Sequence, residues 1–221
     1  MTTRRGVIGR TALVLGLLAL AGCQTAYYGA MEKLGYEKRD LLVGNVEDAR
    51  EAQEAAKKQF ASALEQFVAV TGFDGGDLEK QYNTLKDEYE DSEARANDVR
   101  KEIAEVERVA TDLFAEWEKE LSEYQSAELR LASQKQLQDT KGRYRQLIGA
   151  MRAAEKKLDP VLAAFKDRVL FLKHNLNARA IASLRGQRAT VEADIGALIT
   201  DMNKAIAEAD RFIASMRSPG S

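Results

Sequence analysis

Residues 78–117, LEKQYNTLKDEYEDSEARANDVRKEIAEVERVATDLFAEW, decide the fold. In this stretch Leu78, Tyr82, Leu85, Tyr89, Ser92, Ala96, Val99, Ile103, Val106, Ala110, Leu113 and Trp117 follow one another in steps of four and three. That spacing is the a and d seam of a coiled coil, a single apolar stripe along a helix. Such a helix is not stable alone in water, because its stability comes from packing the stripe against another helix. Ser92, Ala96 and Ala110 keep the middle of the seam thin, so a partner backbone can approach closely there. The register slips by a residue near Leu121 and Tyr124. The pattern predicts a helix from Leu78 to Tyr124, about 70 Å long at ~1.5 Å per residue.

Reading backward, Gly72-Phe73-Asp74-Gly75-Gly76-Asp77 is a turn, with glycines that tolerate positive φ and Asp77 as a cap for the next helix. It lacks the Gly-Lys-Ser/Thr ending of a phosphate loop. Before it, Leu42, Val46, Ala49, Ala56, Phe60, Ala63, Leu64, Phe67 and Val70 mark a helix from about Arg39 to Thr71. Reading forward, the next turn falls within 122–126, with Ser122 and Ser126 both open as caps. Leu129, Leu137, Tyr144, Ile148, Met151, Leu158, Val161, Phe165, Val169, Leu172 and Leu176 carry a third helix, which restarts or kinks at Asp159-Pro160; its face stays in phase and favours a kink. Asn175-Leu176-Asn177 is the following turn. Leu184, Val191, Ile195, Leu198, Met202, Ile206, Ala209 and Phe212 are the seam of one last helix. Short connections make neighbours antiparallel. The fold class is all-α: an elongated antiparallel bundle over 39–217 in which the second and third helices project as a coiled-coil hairpin.

Composition agrees. Only two prolines, Pro160 and Pro219, occur in 221 residues, and 31% of residues are charged. No shift in composition marks a second domain.

The N-terminus has a different character. Arg4, Arg5 and Arg10 precede the apolar run 11–20, which is too short to cross a bilayer, since spanning takes about 20 apolar residues. With small residues after it, this reads as a secretory signal over residues 1–22 that is removed. Leu20-Ala21-Gly22-Cys23 resembles the lipobox of bacterial lipoproteins, which implies acylation of Cys23 and cleavage before it. Gln24, where aspartate would resemble an inner-membrane retention signal, implies sorting to the outer membrane, facing the periplasm. The route is either the general secretory one, which is favoured, or the twin-arginine one that Thr3-Arg4-Arg5 weakly resembles. Two or more acyl chains anchor stably. Residues 23–38 then form a lipidated segment whose Tyr27, Tyr28 and Tyr36 suit either a membrane interface or the base of the bundle. Residues 218–221 read as a disordered tail. In this arrangement the anchor is the base of the rod, and the rod's contact lies at its far end.

From Cys23 onward the chain carries 30 basic and 35 acidic residues, an excess that argues against nucleic acid or an anionic membrane surface as main partner. Cys23 is the single cysteine and His174 the single histidine. A zinc site or a nucleophile–base pair therefore lacks its residues. No Glu-x-x-His pair of a di-metal bundle is present. No metal, cofactor or catalytic residue is expected, and carboxylates such as Asp87-Glu88 and Glu116 read as a solvated face. Lys141, Arg143, Arg145, Arg152, Lys156 and Lys157 read as partners of the acidic second helix. Trp117 and Tyr124 are the candidate partner-binding tip of the hairpin, with core packing as the plainer role of Trp117.

Ala26-Tyr27-Tyr28-Gly29-Ala30-Met31, Asp87-Glu88-Tyr89-Glu90-Asp91-Ser92, Leu113-Phe114-Ala115-Glu116-Trp117 and Phe171-Leu172-Lys173-His174-Asn175 together resemble a family of Gram-negative envelope proteins, domain of unknown function 2959. The resemblance spans the chain after Cys23, implies helical structure and supplies no catalytic residues. The expectation is a non-enzymatic lipoprotein that binds a helical partner or itself. One alternative is a bundle acting on the bilayer through its most apolar segment, 161–176. The other is a wall or lipid hydrolase with convergent carboxylates in a polar cleft.

Overall fold

The computed structural model describes residues 38–217. The signal, Cys23, Gln24 and the tail 218–221 lie outside the described residues. Five helices follow in order: α1 Lys38–Thr71, α2 Leu78–Glu120, α3 Ala127–His174, α4 Ala178–Gly186 and α5 Arg188–Arg217. Among the described residues there is no strand. The described residues from Leu42 onward form one compact unit.

The seam is buried as its spacing requires. From Leu85 to Leu113 every one of its positions is buried, while Tyr82 and Trp117 at its ends are half-buried. Val109 and Phe114 are buried outside the seam, because α2 serves more than one partner. Tyr89 meets Phe165 of α3 edge-on at 6.0 Å between ring centroids. On its other side, Gln59 and Ser62 of α1 donate to the Glu88 carboxylate at 2.6 and 2.9 Å. α3 is the central helix and packs on both α2 and α5. Its buried set accordingly widens to include Leu147, Ala154 and Leu162 beside Met151, Leu158, Val161, Phe165, Val169 and Leu172.

One buried position departs from the apolar rule. Gln53 of α1 is wholly buried between Ala49 and Ala56, and neither end of its amide is hydrogen-bonded to a protein group. Burying an amide without partners costs on the order of 1–3 kcal/mol, so Gln53 is a weak point in an otherwise apolar core.

The boundaries correct the sequence reading in several places. α2 stops at Glu120 rather than Tyr124: Ser122 and Glu123 N–H groups bond three residues back, tightening the last turn until it closes. Ser126 is the cap of α3, its hydroxyl accepting from the Leu129 N–H at 3.3 Å, whereas the Ser122 hydroxyl donates to the Lys119 carbonyl. α3 runs unbroken through Pro160, which is exposed, so the carbonyl left without a donor can face water. The expected last helix is two, divided at Gln187 directly after Gly186, the poorest helix former there other than proline. Leu129 and Leu176, placed in the third-helix face by spacing, are exposed; Leu64, Tyr144, Ile148 and Ile206 are half-buried.

The ends also fall differently. Arg217 at the end of α5 pairs with Glu47 near the start of α1 at 2.6 Å, and Lys101 and Glu102 of α2 act electrostatically on Asp48. From Glu102, α2 continues about 27 Å in the direction from which the chain enters α1. The α2–α3 turn therefore lies at the end where the chain enters the bundle, which up-down connectivity requires. What lies at the far end is the α1–α2 turn together with α4.

Candidate functional site: the two ends of the bundle

The flanks are occupied by ion pairs that tie helix to helix. Arg100 pairs with Asp159 at 2.5 Å and Lys141 with Glu118 at 2.5 Å, both joining α2 to α3. Arg152 grips the Glu107 carboxylate through two nitrogens and also Glu155. The two carboxylates beside it hold the Arg152 proton more tightly than usual. Lys157 instead turns to α5 and pairs with Asp201 at 2.6 Å. The predicted pairing of the 141–157 basic patch with α2 thus holds for Lys141 and Arg152, while Lys157 goes elsewhere and Arg145 and Lys156 stay exposed.

At the hairpin end, Trp117 is half-buried and its indole N–H donates to Ser133 Oγ at 2.8 Å. This bond clamps α2 to α3. Below it Phe114 and Tyr144 meet edge-on at 5.4 Å, and the Lys141 ammonium lies 5.4 Å from the Phe114 ring centre. Burial pushes the Tyr144 phenol up to about 12. Trp117 is therefore engaged within the hairpin, and Tyr124, 41% exposed, is the more available of the two predicted tip residues. Sequence reasoning missed Leu129 and Leu131, which stand 59% and 63% exposed in the first turns of α3. Their signal was available: they are leucines directly after a cap, where a hairpin end has no third helix to cover them.

The opposite end is built from the α1–α2 turn, the end of α3 and α4. Gly76 adopts φ 121°, a conformation that favours glycine, and its backbone packs against the Phe73 ring. Asp77 Oδ1 caps α2 through the Lys80 N–H at 3.0 Å. Arg185 of α4 donates to the Thr71 carbonyl at 2.8 Å and fastens α4 to the end of α1. Between turn and helix lies a cleft of about 300 Å³ lined by Phe73, Leu78, Ile181 and Arg185, among others. Leu170, Phe171 and Leu176 are exposed here at 43%, 39% and 43%. His174 ends α3 and is exposed. Among the described residues, all the exposed large apolar side chains lie at these two ends.

A groove of about 520 Å³ between α1 and α5 holds Glu47, Asp48, Glu51 and Asp210. Glu47 and Asp210 are each paired with an arginine, Arg217 and Arg50. Burial, with Glu102, Glu51 and Glu47 nearby, raises the Asp48 carboxyl above its ordinary range. Among the described residues no group of histidine, cysteine and carboxylates could hold a metal ion, and no helix is long and apolar enough to cross a membrane.

Residues 27–216, which include both ends of the bundle, match the family described as protein of unknown function DUF2959. The chain belongs to this family. No curated protein and no solved structure matches it. The match begins after Cys23, so the family covers the bundle and the segment leading into it, not the lipobox-like tetrapeptide.

Proposed function

We propose that this DUF2959 chain is an outer-membrane lipoprotein, anchored by lipid on Cys23, whose helical bundle is a non-enzymatic interaction module of the cell envelope. The observation that carries the module reading is the placement of exposed apolar residues. Tyr124, Leu129 and Leu131 crowd one end, Leu170, Phe171 and Leu176 the other, and ion pairs line the flanks. Large apolar residues left partly exposed in the folded chain, and gathered rather than scattered, are what an interaction surface needs. The partner is a helical protein or a second copy of the chain, not nucleic acid.

The supporting experiment separates anchor from module. Mass spectrometry of the protein from envelopes should show a mature chain starting at acylated Cys23, and Cys23→Ser should release it from the membrane fraction. An unprocessed, unacylated chain would sink the lipoprotein reading. A photo-cross-linker at Phe171 or Tyr124 that captures neither a protein nor a second copy would sink the module reading.

Insertion of 161–176 into a bilayer is less favoured. Val161, Leu162, Phe165, Val169 and Leu172 are core residues packed on the neighbouring helices, and their departure would leave the apolar faces they cover open to water, at about 25 cal/mol per Å². The hydrolase reading is weakened by the occupied arginine partners in the carboxylate groove.

A further inference from the structure

The two ends expose similar apolar surface but differ in charge. From Ala115 to Gln136, across the hairpin tip, there are five carboxylates and three cationic side chains. From Lys166 to Arg188 the balance reverses, with six cationic side chains against the single carboxylate of Asp167. Two of the six are spoken for: Arg185 bonds to the Thr71 carbonyl and Arg188 pairs with Glu192. Arg168 is half-buried and bonds to the Ala164 carbonyl. Lys166, Lys173 and Arg179 are exposed and form no ion pair among the described residues. Carboxylates of neighbouring elements also lie at this end: Asp74 shares the cleft with Arg185, Asp194 of α5 lines a pocket with Arg168, and Asp77 is engaged as the α2 cap.

The apolar and cationic groups are interleaved. Leu170 lies one helical turn from both Lys166 and Lys173, and Leu176 three residues before Arg179. An acidic protein would use the cations, and an apolar groove would use the leucines. A surface where hydrocarbon meets phosphate uses both at once. Nucleic acid offers phosphate but no hydrocarbon for Leu170 and Leu176.

We propose that the α3–α4 end is a docking surface for an anionic lipid bilayer. Leu170, Phe171 and Leu176 enter the headgroup layer, and Lys166, Lys173 and Arg179 meet lipid phosphates. The acidic balance of the whole chain does not oppose this, because screening confines each charge to about 10 Å at ordinary salt. The proposal gives this end to lipid and leaves the hairpin end, with Tyr124, Leu129 and Leu131, to the protein partner of the module reading; it does not depend on acylation of Cys23.

The test uses the chain from residue 23 onward with Cys23→Ser, so that neither a signal nor an acyl chain contributes. It is floated with vesicles of phosphatidylcholine alone or mixed with an equal part of phosphatidylglycerol. Binding is expected only to the anionic vesicles, and to weaken as salt is raised. Phe171→Gln with Leu170→Gln should abolish it, and Lys173→Glu with Arg179→Glu should lower it about tenfold or more. Leu129→Gln with Leu131→Gln should leave it intact. Each pair replaces exposed side chains, and a thermal melt verifies that each variant is folded. Failure of the folded parent chain to float, equal binding to both vesicle types, or loss only in the 129/131 variant would overturn the proposal. So would DNA oligonucleotide binding as tight as vesicle binding and indifferent to Phe171→Gln. None of these outcomes bears on whether Cys23 is acylated.

Discussion

The hairpin tip and the α3–α4 end are both places where helices run out of partners, yet they solve the problem differently. The tip is held by side chains reaching across one helix pair: the Trp117 indole on Ser133, the Lys141 ammonium on Glu118 and over Phe114. The opposite end is held by backbone devices, with Asp77 and Asn177 as caps and Arg185 bonded to the Thr71 carbonyl. The tip leaves leucines exposed among carboxylates; the other end leaves them among cations. A net charge summed over the chain conceals this, because folding sorts charges by position and each is felt only locally. That is why an overall acidic chain can still present a basic face.

The largest test of the comparison is a leucine at each end. Leu172 is fully buried at the end of α3, and Leu172→Ala should cost about 2–5 kcal/mol of unfolding free energy. Leu129→Ala at the exposed tip should change stability by no more than about 0.5 kcal/mol. Denaturant melts of the two variants check this, and equal losses would mean that the tip is covered in solution. A smaller effect is expected inside the hairpin. Trp117→Phe keeps the ring packing but loses the bond to Ser133, costing about 1 kcal/mol. Hydrogen exchange should then quicken between 117 and 133 while the α3–α4 end keeps its protection; uniform quickening would show that tip and bundle unfold as one.

The smallest effect concerns pH. Hydrogen bonds from Lys157 and then Lys204 hold the Asp201 carboxyl below its ordinary range. A carboxyl whose folded value is lowered stabilises the protein above its unfolded value, and that gain is lost as pH falls through the folded one. Asp201→Asn should therefore cost about 1 kcal/mol or less at pH 7. The deficit should shrink below a pH of about 4. A deficit that is the same at pH 7 and pH 3 would remove the ion pair from the account of how α3 holds α5.

Much of this was legible in the residues. The four-and-three spacing from Leu85 to Leu113 predicted burial position by position, because a helix in water must hide such a stripe. The turn at 72–77 was legible from its glycines and from Asp77. Gln53 was not, since a polar residue in phase between Ala49 and Ala56 reads as an interruption of the stripe rather than as part of it. Leu129 and Leu176 were misread because periodicity marks which face a residue is on, and at a helix end that face has nothing opposite it. The break at Gln187 depends on a modest glycine preference that spacing from Leu184 to Val191 overrode in the reading.

The sequence by itself determined that the chain is helical, where most helices begin and end, and which stripe each one hides. These follow from local preference and a period of 3.6 residues. Tertiary structure alone decided which residues have no neighbour and which charges are left over after pairing. Those depend on which helices end at the same level, and no spacing within a single helix records that.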